Sequence, residues 1–448
     1  MTRTRAPFFR AGAVSAITEH SLNSRLKRSR CCIEPLAHQL AVYLLAFGGL
    51  LLVAVLLDDL AARIRVPGIL MVLMLGLLID NKMEVASGTA SLLNLSHAEQ
   101  ITQVALVLVL FFGGLTTNWA EVRAVIRPAA RLATLGVVLT SVLTAAVLIG
   151  FGVLQDDRPV LELLPKALFV GAMVGSTDAS AVLALLRPLA GQLPQPLIDL
   201  IETESGFNDP MAVVLAGVAL ALAGGEGVAP ADLVIEVIRQ FLLGILIGFL
   251  GGSLTVQLLG SRTSLNQTTM LPVVSLALLM LLSGGTALMG GSPLLAAYVA
   301  GLVLGNGPSL DQAALEEAHA SFAKMAELVL FLCMGLVVEP ESVVFAAGWG
   351  FLLFLVMQLV RLVIVQTLLL RTTFRPPERM FICWAGLRGA VPIALAIDAW
   401  ASGVSWGREM PPLALAVVLC GLFIQGFALV PLARRMKITV PIAEAQAP

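Results

Sequence analysis

From residue 39 to residue 57 the chain carries no charged side chain, and apolar runs of about this length recur almost to its end. Some twenty helical residues cross a hydrocarbon core of ~30 Å, and within that core only helices and closed barrels satisfy every backbone N–H and C=O. Membrane barrels are written as short alternating segments. These runs are long and unbroken, so the chain is expected to fold as helices in a bilayer. Only 13% of its residues are charged, about half the share in soluble domains. The 40 Gly and 23 Pro scattered through apolar stretches are tolerated in membrane helices, whose neighbours re-satisfy freed backbone groups.

Thirteen windows of this kind can be marked: 39–57, 67–80, 101–116, 129–153, 165–186, 197–223, 232–258, 269–284, 286–304, 323–338, 343–370, 379–400 and 412–433. The expectation is an all-α polytopic membrane protein. One membrane domain over 38–436 follows a basic tail, 1–37, disordered by its composition, and precedes a short tail, 437–448. The second and eighth windows are short enough to be tilted or partly re-entrant. Of the two longer links, 305–322 carries Asp311, Glu316, Glu317 and His319 on a polar helical extension of the tenth span. An odd number of spans puts the two ends of the domain on opposite sides. One set of connecting segments holds fourteen Lys and Arg, the other only Lys82, Arg158, Lys166 and Arg408. By the positive-inside rule the C-terminus is cytoplasmic. The arginines of the N-terminal tail conflict with this orientation. They are read as an upstream extension outside the mature protein, the alternatives being a first span that does not cross or a targeting presequence.

The few remaining charges exclude other classes. A net charge of −1 offers no footprint for nucleic acid. The five cysteines, Cys31, Cys32, Cys333, Cys383 and Cys420, have neither metal-ligand nor disulfide spacing. Four dispersed histidines make no zinc motif, and no cofactor is expected.

An ionisable side chain inside a span costs at least about 2.5–3.5 kcal/mol, so each one is a candidate for function. The fifth span reads GAMVGSTDASAVLALLR, with Asp178 near its middle behind Gly171, Gly175, Ser176 and Thr177. This composition suits a helix that unwinds at membrane depth and offers oxygens and half-helix dipoles to a cation; alternatively Asp178 only caps the second half-helix. The sixth span opens with Glu202, Glu204 and Asp209 within eight residues. Positions 202, 205 and 209 share one helical face, and 204 and 208 an adjacent one. Ser205 and Asp209 thus offer hard oxygen ligands fit for an alkali cation. Asn208 can hold a carboxylate without adding charge, and Pro210 frees the carbonyl of Gly206. A structural role for Asp209 and a solvated position for Glu202 are the blander alternatives. In the twelfth span Arg388 lies between Gly386 and Gly389 and needs a carboxylate, for which Glu204 and Asp178 are available. Arg361 is expected to pack with its head on backbone carbonyls, and Glu327 and Asp398 to reach water from helix ends. Spans five and twelve, both interrupted, stand in corresponding places of two six-helix halves, the sequence pointer to an inverted-repeat transporter.

Thr177-Asp178, then Glu204-Ser205-Gly206-Phe207-Asn208-Asp209-Pro210, then Gly386-Leu387-Arg388-Gly389-Ala390-Val391 together resemble bacterial cation/proton antiporters of the NhaP type, most of all the potassium/proton branch related to the cell-volume-regulation antiporters. The resemblance spans about residues 38–436. It implies thirteen helices in two inverted repeats with broken helices crossing at the site, a homodimer, and exchange of K+ or Na+ for H+ as one helix bundle moves against a dimerisation domain; because the Asn208 amide before Asp209 cannot bind a proton, the exchange is expected to be electroneutral. It also implies that Asp209 alternately holds cation and proton, that Thr177, Asp178, Ser205 and Asn208 support it, with Asp178 beside Asp209 on the alkali cation, and that Glu204 and Arg388 form an ion pair bracing the site. Phe207 stands where the branch has a small polar residue. The chain stops at Pro448, and the expectation is that no C-terminal domain regulates it. Two other readings compete with the antiporter: an ion channel, and a membrane-embedded hydrolase using Asp178 and Asp209 as acid and base. The channel lacks a selectivity-filter loop, and the hydrolase has no use for Arg388.

Overall fold

The computed structural model describes residues 41–439 apart from 62, 64–66, 80, 86–87, 92, 157–158, 225–229, 262–269 and 308–309. Residues 1–40 and 440–448, which hold the expected tail 1–37 and all but the first three residues of the expected tail 437–448, together with Cys31, Cys32, His20 and His38, therefore lie outside the described residues. Sixteen helices follow one another: α1 (Ala41–Ala61), α2 (Gly68–Leu78), α3 (Leu95–Thr116), α4 (Trp119–Arg131), α5 (Val137–Asp156), α6 (Val160–Met173), α7 (Ala179–Leu186), α8 (Gln195–Ala223), α9 (Pro230–Ser261), α10 (Leu271–Leu288), α11 (Pro293–Gly305), α12 (Gln312–Val337), α13 (Pro340–Leu368), α14 (Pro376–Trp384), α15 (Ala390–Ala401) and α16 (Met410–Arg435). Among the described residues nine helical stretches are long and apolar enough to cross a membrane, four more apolar helices are shorter, and the expected thirteen spans are not all present as full-length helices. The link after α2 holds a small antiparallel hairpin, β1 (Lys82–Val85) and β2 (Gly88–Ser91), a local departure from an all-α chain.

Within residues 54–439 the packing falls into two groups. In one, α11 lies along α3 and α9, α12 packs on α2 and α3, and α10 packs on α9 and α11. Glycines let these backbones approach: a methyl on Gly114 would strike the backbone of Tyr298, and one on Gly301 the backbone of Phe111. Without a hydrophobic drive between helices in lipid, close van der Waals packing at small residues holds them together. In the other group α6 packs on α5 and α8, α4 on α8, and α13 on α16 and α14. A π-turn at Leu132–Gly136 joins α4 to α5, one turn after Pro128, which cannot donate its backbone hydrogen bond. The helix of the fourth crossing therefore starts at Trp119, ten residues before the apolar window. The tenth span carries the polar extension expected of it, with Asp311 accepting from the N–H of Ala314 at the start of α12. His319 departs from that solvated picture: it is buried, and its Nε2 lies 2.7 Å from Ser275 Oγ.

Both interruptions are present. Residues 174–178 separate α6 from α7, and 385–389 separate α14 from α15. The two breaks touch, the N–H of Asp178 donating to the carbonyl of Leu387 at 2.8 Å.

Candidate functional site

Two interrupted helices create four helix ends inside the protein, each with backbone groups that have no intrahelical partner. Side chains from the breaks meet that demand. At the start of α7, Asp178 Oδ1 accepts from the N–H of Ala181 at 3.0 Å and from Ser180 Oγ at 2.7 Å. The capping alternative for Asp178 is thus realised, yet the residue also lines a cavity. Its second oxygen lies against Gly389, the residue preceding α15, where a Cβ would collide with the carboxylate. One negative charge therefore sits at two helix N-termini, where the peptide dipoles favour it.

Arg388 serves the opposite pole. Its Nη1 donates to the carbonyls of Gly175, at 3.3 Å, and Ser176, just past the C-terminal end of α6, where a positive charge is favoured. Its Nε points to Met357 Sδ at 2.9 Å. This corrects the expected Glu204–Arg388 pair. Glu204 is bound by Arg361, which reaches across from α13 with two contacts of 2.9 and 3.2 Å. Arg361 also donates to the carbonyls of Cys383 and Ile382 near the end of α14. It does rest on backbone carbonyls, as expected, but in addition it takes the carboxylate assigned to Arg388. The physical reason is that α6 ends at the break with open carbonyls, which occupy Arg388, while Gly386 leaves room for the Arg361 guanidinium, which a Cβ there would meet.

Helix α8 continues through Pro210, so the facial assignment holds. Glu204 and Asn208 are buried. The Asn208 amide clamps Thr177 from both sides: Oδ1 accepts from the Thr177 N–H at 3.2 Å and Nδ2 donates to Thr177 Oγ1 at 2.6 Å. Asn208 thus holds a threonine rather than a carboxylate. Thr177 Oγ1 also lies 2.9 Å from Ser205 Oγ. Glu202, Ser205 and Asp209 face a cavity of about 360 Å³ that Thr177, Asp178 and Ser176 also line. Asp209 is within electrostatic reach of Asp178 and Arg388. The carboxylates of Asp178, Glu202 and Asp209 and the hydroxyls of Ser176, Thr177 and Ser205 make a hard-oxygen wall suited to an alkali cation.

The same cavity contains residues that the sequence reading did not place there. Tyr298, from α11, is buried, its ring fills the space above Gly206, and Phe207 packs edge-on against it with ring centroids 4.9 Å apart. It is one of two tyrosines in the chain, and a phenol inside an apolar run was the available signal. Lys324 and Glu327 of α12 also line the cavity, Lys324 Nζ bridging Asp58 at 3.1 Å and Glu327 at 3.3 Å. Glu327 therefore belongs to the cavity wall and not only to a helix end.

The sequence profile described as "Sodium/hydrogen exchanger, transmembrane" matches residues 48–435. The K+/H+ antiporter NhaP2 of Shewanella oneidensis is 33% identical over 397 residues, 87% of this chain and 66% of that protein. The K+/H+ antiporter NhaP of Alkalimonas amylolytica is 31% identical over 406 residues, 89% and 67% respectively, and the Na+/H+ antiporter ApNhaP of Aphanothece halophytica is 28% identical over 359 residues, 75% and 64%. The chain thus spans about two thirds of the length of these relatives, and each of them is an antiporter by name. Among solved structures, the sodium proton antiporter MjNhaP1 of Methanocaldococcus jannaschii at pH 8 superposes with a TM-score of 0.73 over 89% of this chain and 99% of that one. At 19% identity that likeness concerns the fold.

Proposed function

The chain belongs to the sodium/hydrogen exchanger family, and on that footing we propose that it exchanges a monovalent cation, K+ or Na+, for H+ by alternating access. One observation carries the proposal: two interrupted helices meet at Asp178 and Leu387, and the cavity that reaches them is walled by Asp209, Asp178, Ser205 and Thr177. Asp209, ionised, holds the cation with Asp178 and the hydroxyls beside it; protonated, it lets the cation go. Asp178 stays in place at the two helix N-termini it serves. The group of α4 to α8 and α13 to α16 moves against the group of α2, α3 and α9 to α12. Interrupted helices in the fifth and twelfth positions support thirteen spans in two inverted six-helix repeats joined by the seventh. A homodimer in the bacterial inner membrane, with a cytoplasmic C-terminus, completes the proposal, and the fourteen-to-four asymmetry of basic residues supports that orientation.

Exchange is electroneutral on this view. Asn208 takes no proton, because its side chain is a neutral amide with no titratable group; its oxygen and nitrogen hold Thr177 instead. One proton therefore replaces one cation at Asp209. The test uses purified protein in liposomes loaded with a pH-sensitive dye, given K+, Na+ or Li+ in turn. The wild type is expected to show cation-dependent proton flux that a clamped potential of ~100 mV, worth about 2.3 kcal/mol per net charge moved, leaves unchanged. Asp209→Asn is expected to insert and show no such flux. Wild-type flux in that variant would remove Asp209 from the mechanism, and a large potential-dependent rate would overturn one-for-one exchange.

A further inference from the structure

A second cavity, of about 420 Å³, lies end to end with the first. It is lined by Gln103 of α3, Val213 of α8, Ser283 of α10, Leu294 of α11 and Asp398 of α15, so it too runs between the two helix groups. On every helix the two cavities share, one wall gives way to the other within about a single turn. Leu106 of α3 lines both. On α8 the change falls between Asp209 and Val213, on α11 between Tyr298 and Leu294, and on α15 between Val391 and Ala394. Four residues of helix rise only about 6 Å. A thin layer containing Leu106 therefore separates two aqueous-sized spaces, one toward the start of α15 and the other toward its end.

The second space is not merely apolar. Asp398 presents a carboxylate to it, and Glu99, one turn before Gln103, is within electrostatic reach of Asp398. Ser283 lines the cavity, and its buried Oγ has no hydrogen-bond partner among the described residues. A buried hydroxyl without a partner is costly, and a rotation of the side chain toward a cation in the cavity would satisfy it. Oxygen ligands of this kind, with the Asp398 carboxylate on the wall and Glu99 within its field, attract and hold monovalent cations.

We propose that Asp398 and Ser283, with Gln103, form a second cation station that serves the membrane face at the α15–α16 connection, with Leu106 as the septum between it and Asp209. The proposal rests on the antiport reading for its transport role. An arriving cation waits at Asp398 until the bundle moves and α8 carries Asp209 past Leu106.

Two measurements test it. In vesicles of opposite sidedness, Asp398→Asn is expected to raise the cation KM about tenfold at the face of the α15–α16 connection and to leave it unchanged at the opposite face, while Asp398→Glu restores it. A merely structural role would alter both faces together. An equal change at both faces, or none, overturns the station. Independently of transport, Ser283→Cys is expected to react with a membrane-impermeant maleimide from the α15–α16 face, and Thr117→Cys, in the first cavity, only from the other, each compared with the parent chain. Ser283→Cys that resists labelling, or labels from the opposite face, overturns the cavity assignment. Should the wild type show no cation-dependent proton flux, the antiport reading falls while the labelling still decides the cavity.

Discussion

The two faces of α8 use closely similar side chains for opposite ends. Glu204 and Asn208, one turn apart, are buried and fully engaged, the carboxylate by Arg361 and the amide by Thr177. Ser205 and Asp209, also one turn apart, line the cavity. A carboxylate with a bidentate guanidinium partner is fixed in place; one left beside another carboxylate and hydroxyls is free to exchange partners. The difference teaches that the locking face sets the geometry which the cavity face uses, so mutations on one should show as stability and on the other as transport.

The largest effect is expected on the locking face. Arg361→Ala leaves the buried Glu204 carboxylate unpaired and should cost about 3–5 kcal/mol in detergent melting. Glu204→Ala combined with Arg361→Ala should be much less harmful than the sum of the two, whereas Glu204→Ala and Arg388→Ala should add within about 0.5 kcal/mol. The reverse pattern of coupling would return Glu204 to Arg388. Next comes Asn208→Leu, which strands the Thr177 N–H and should cost about 1–3 kcal/mol, with flux falling as Thr177 loses its position; a variant as stable as wild type would show that the clamp is not structural.

On the cavity face the smallest stability effect is expected. Ser205→Ala removes a hydroxyl whose partner, Thr177, keeps its contact to Asn208, so the melt should move by about 1 kcal/mol or less. Its cation KM should nevertheless rise severalfold, as for a lost uniform binding contact, about three- to tenfold. A large loss of stability with an unchanged KM would erase the distinction between the faces.

Much of the site was legible because it depends on local chemistry. A charge inside an apolar run is costly wherever the run folds, so Asp178, Glu204, Asp209 and Arg388 stood out without any knowledge of their neighbours. Periodicity then separated Asp209 and Ser205 from Glu204 and Asn208, since α8 is one helix from end to end. The interruptions at 174–178 and 385–389 were marked by glycine and polar residues for the same local reason.

Pairing was another matter. Arg361 and Arg388 offered the same charge to the same carboxylate, and helical spacing holds no information on which of two distant helices lies nearer. The end of α6 decided it, since its open carbonyls bind Arg388 and leave Glu204 to Arg361. Tyr298, Lys324 and Glu327 joined the cavity for a similar reason, as did Asp398 and Ser283 the second one: each comes from a different helix, and only the packing of the two groups sets their distance. Charge burial and helical period are properties of a short segment, which residue order contains. Partner choice and cavity walls arise where segments hundreds of residues apart meet, and there the room that Gly386 and Gly389 leave for the Arg361 and Asp178 side chains determined what could fit.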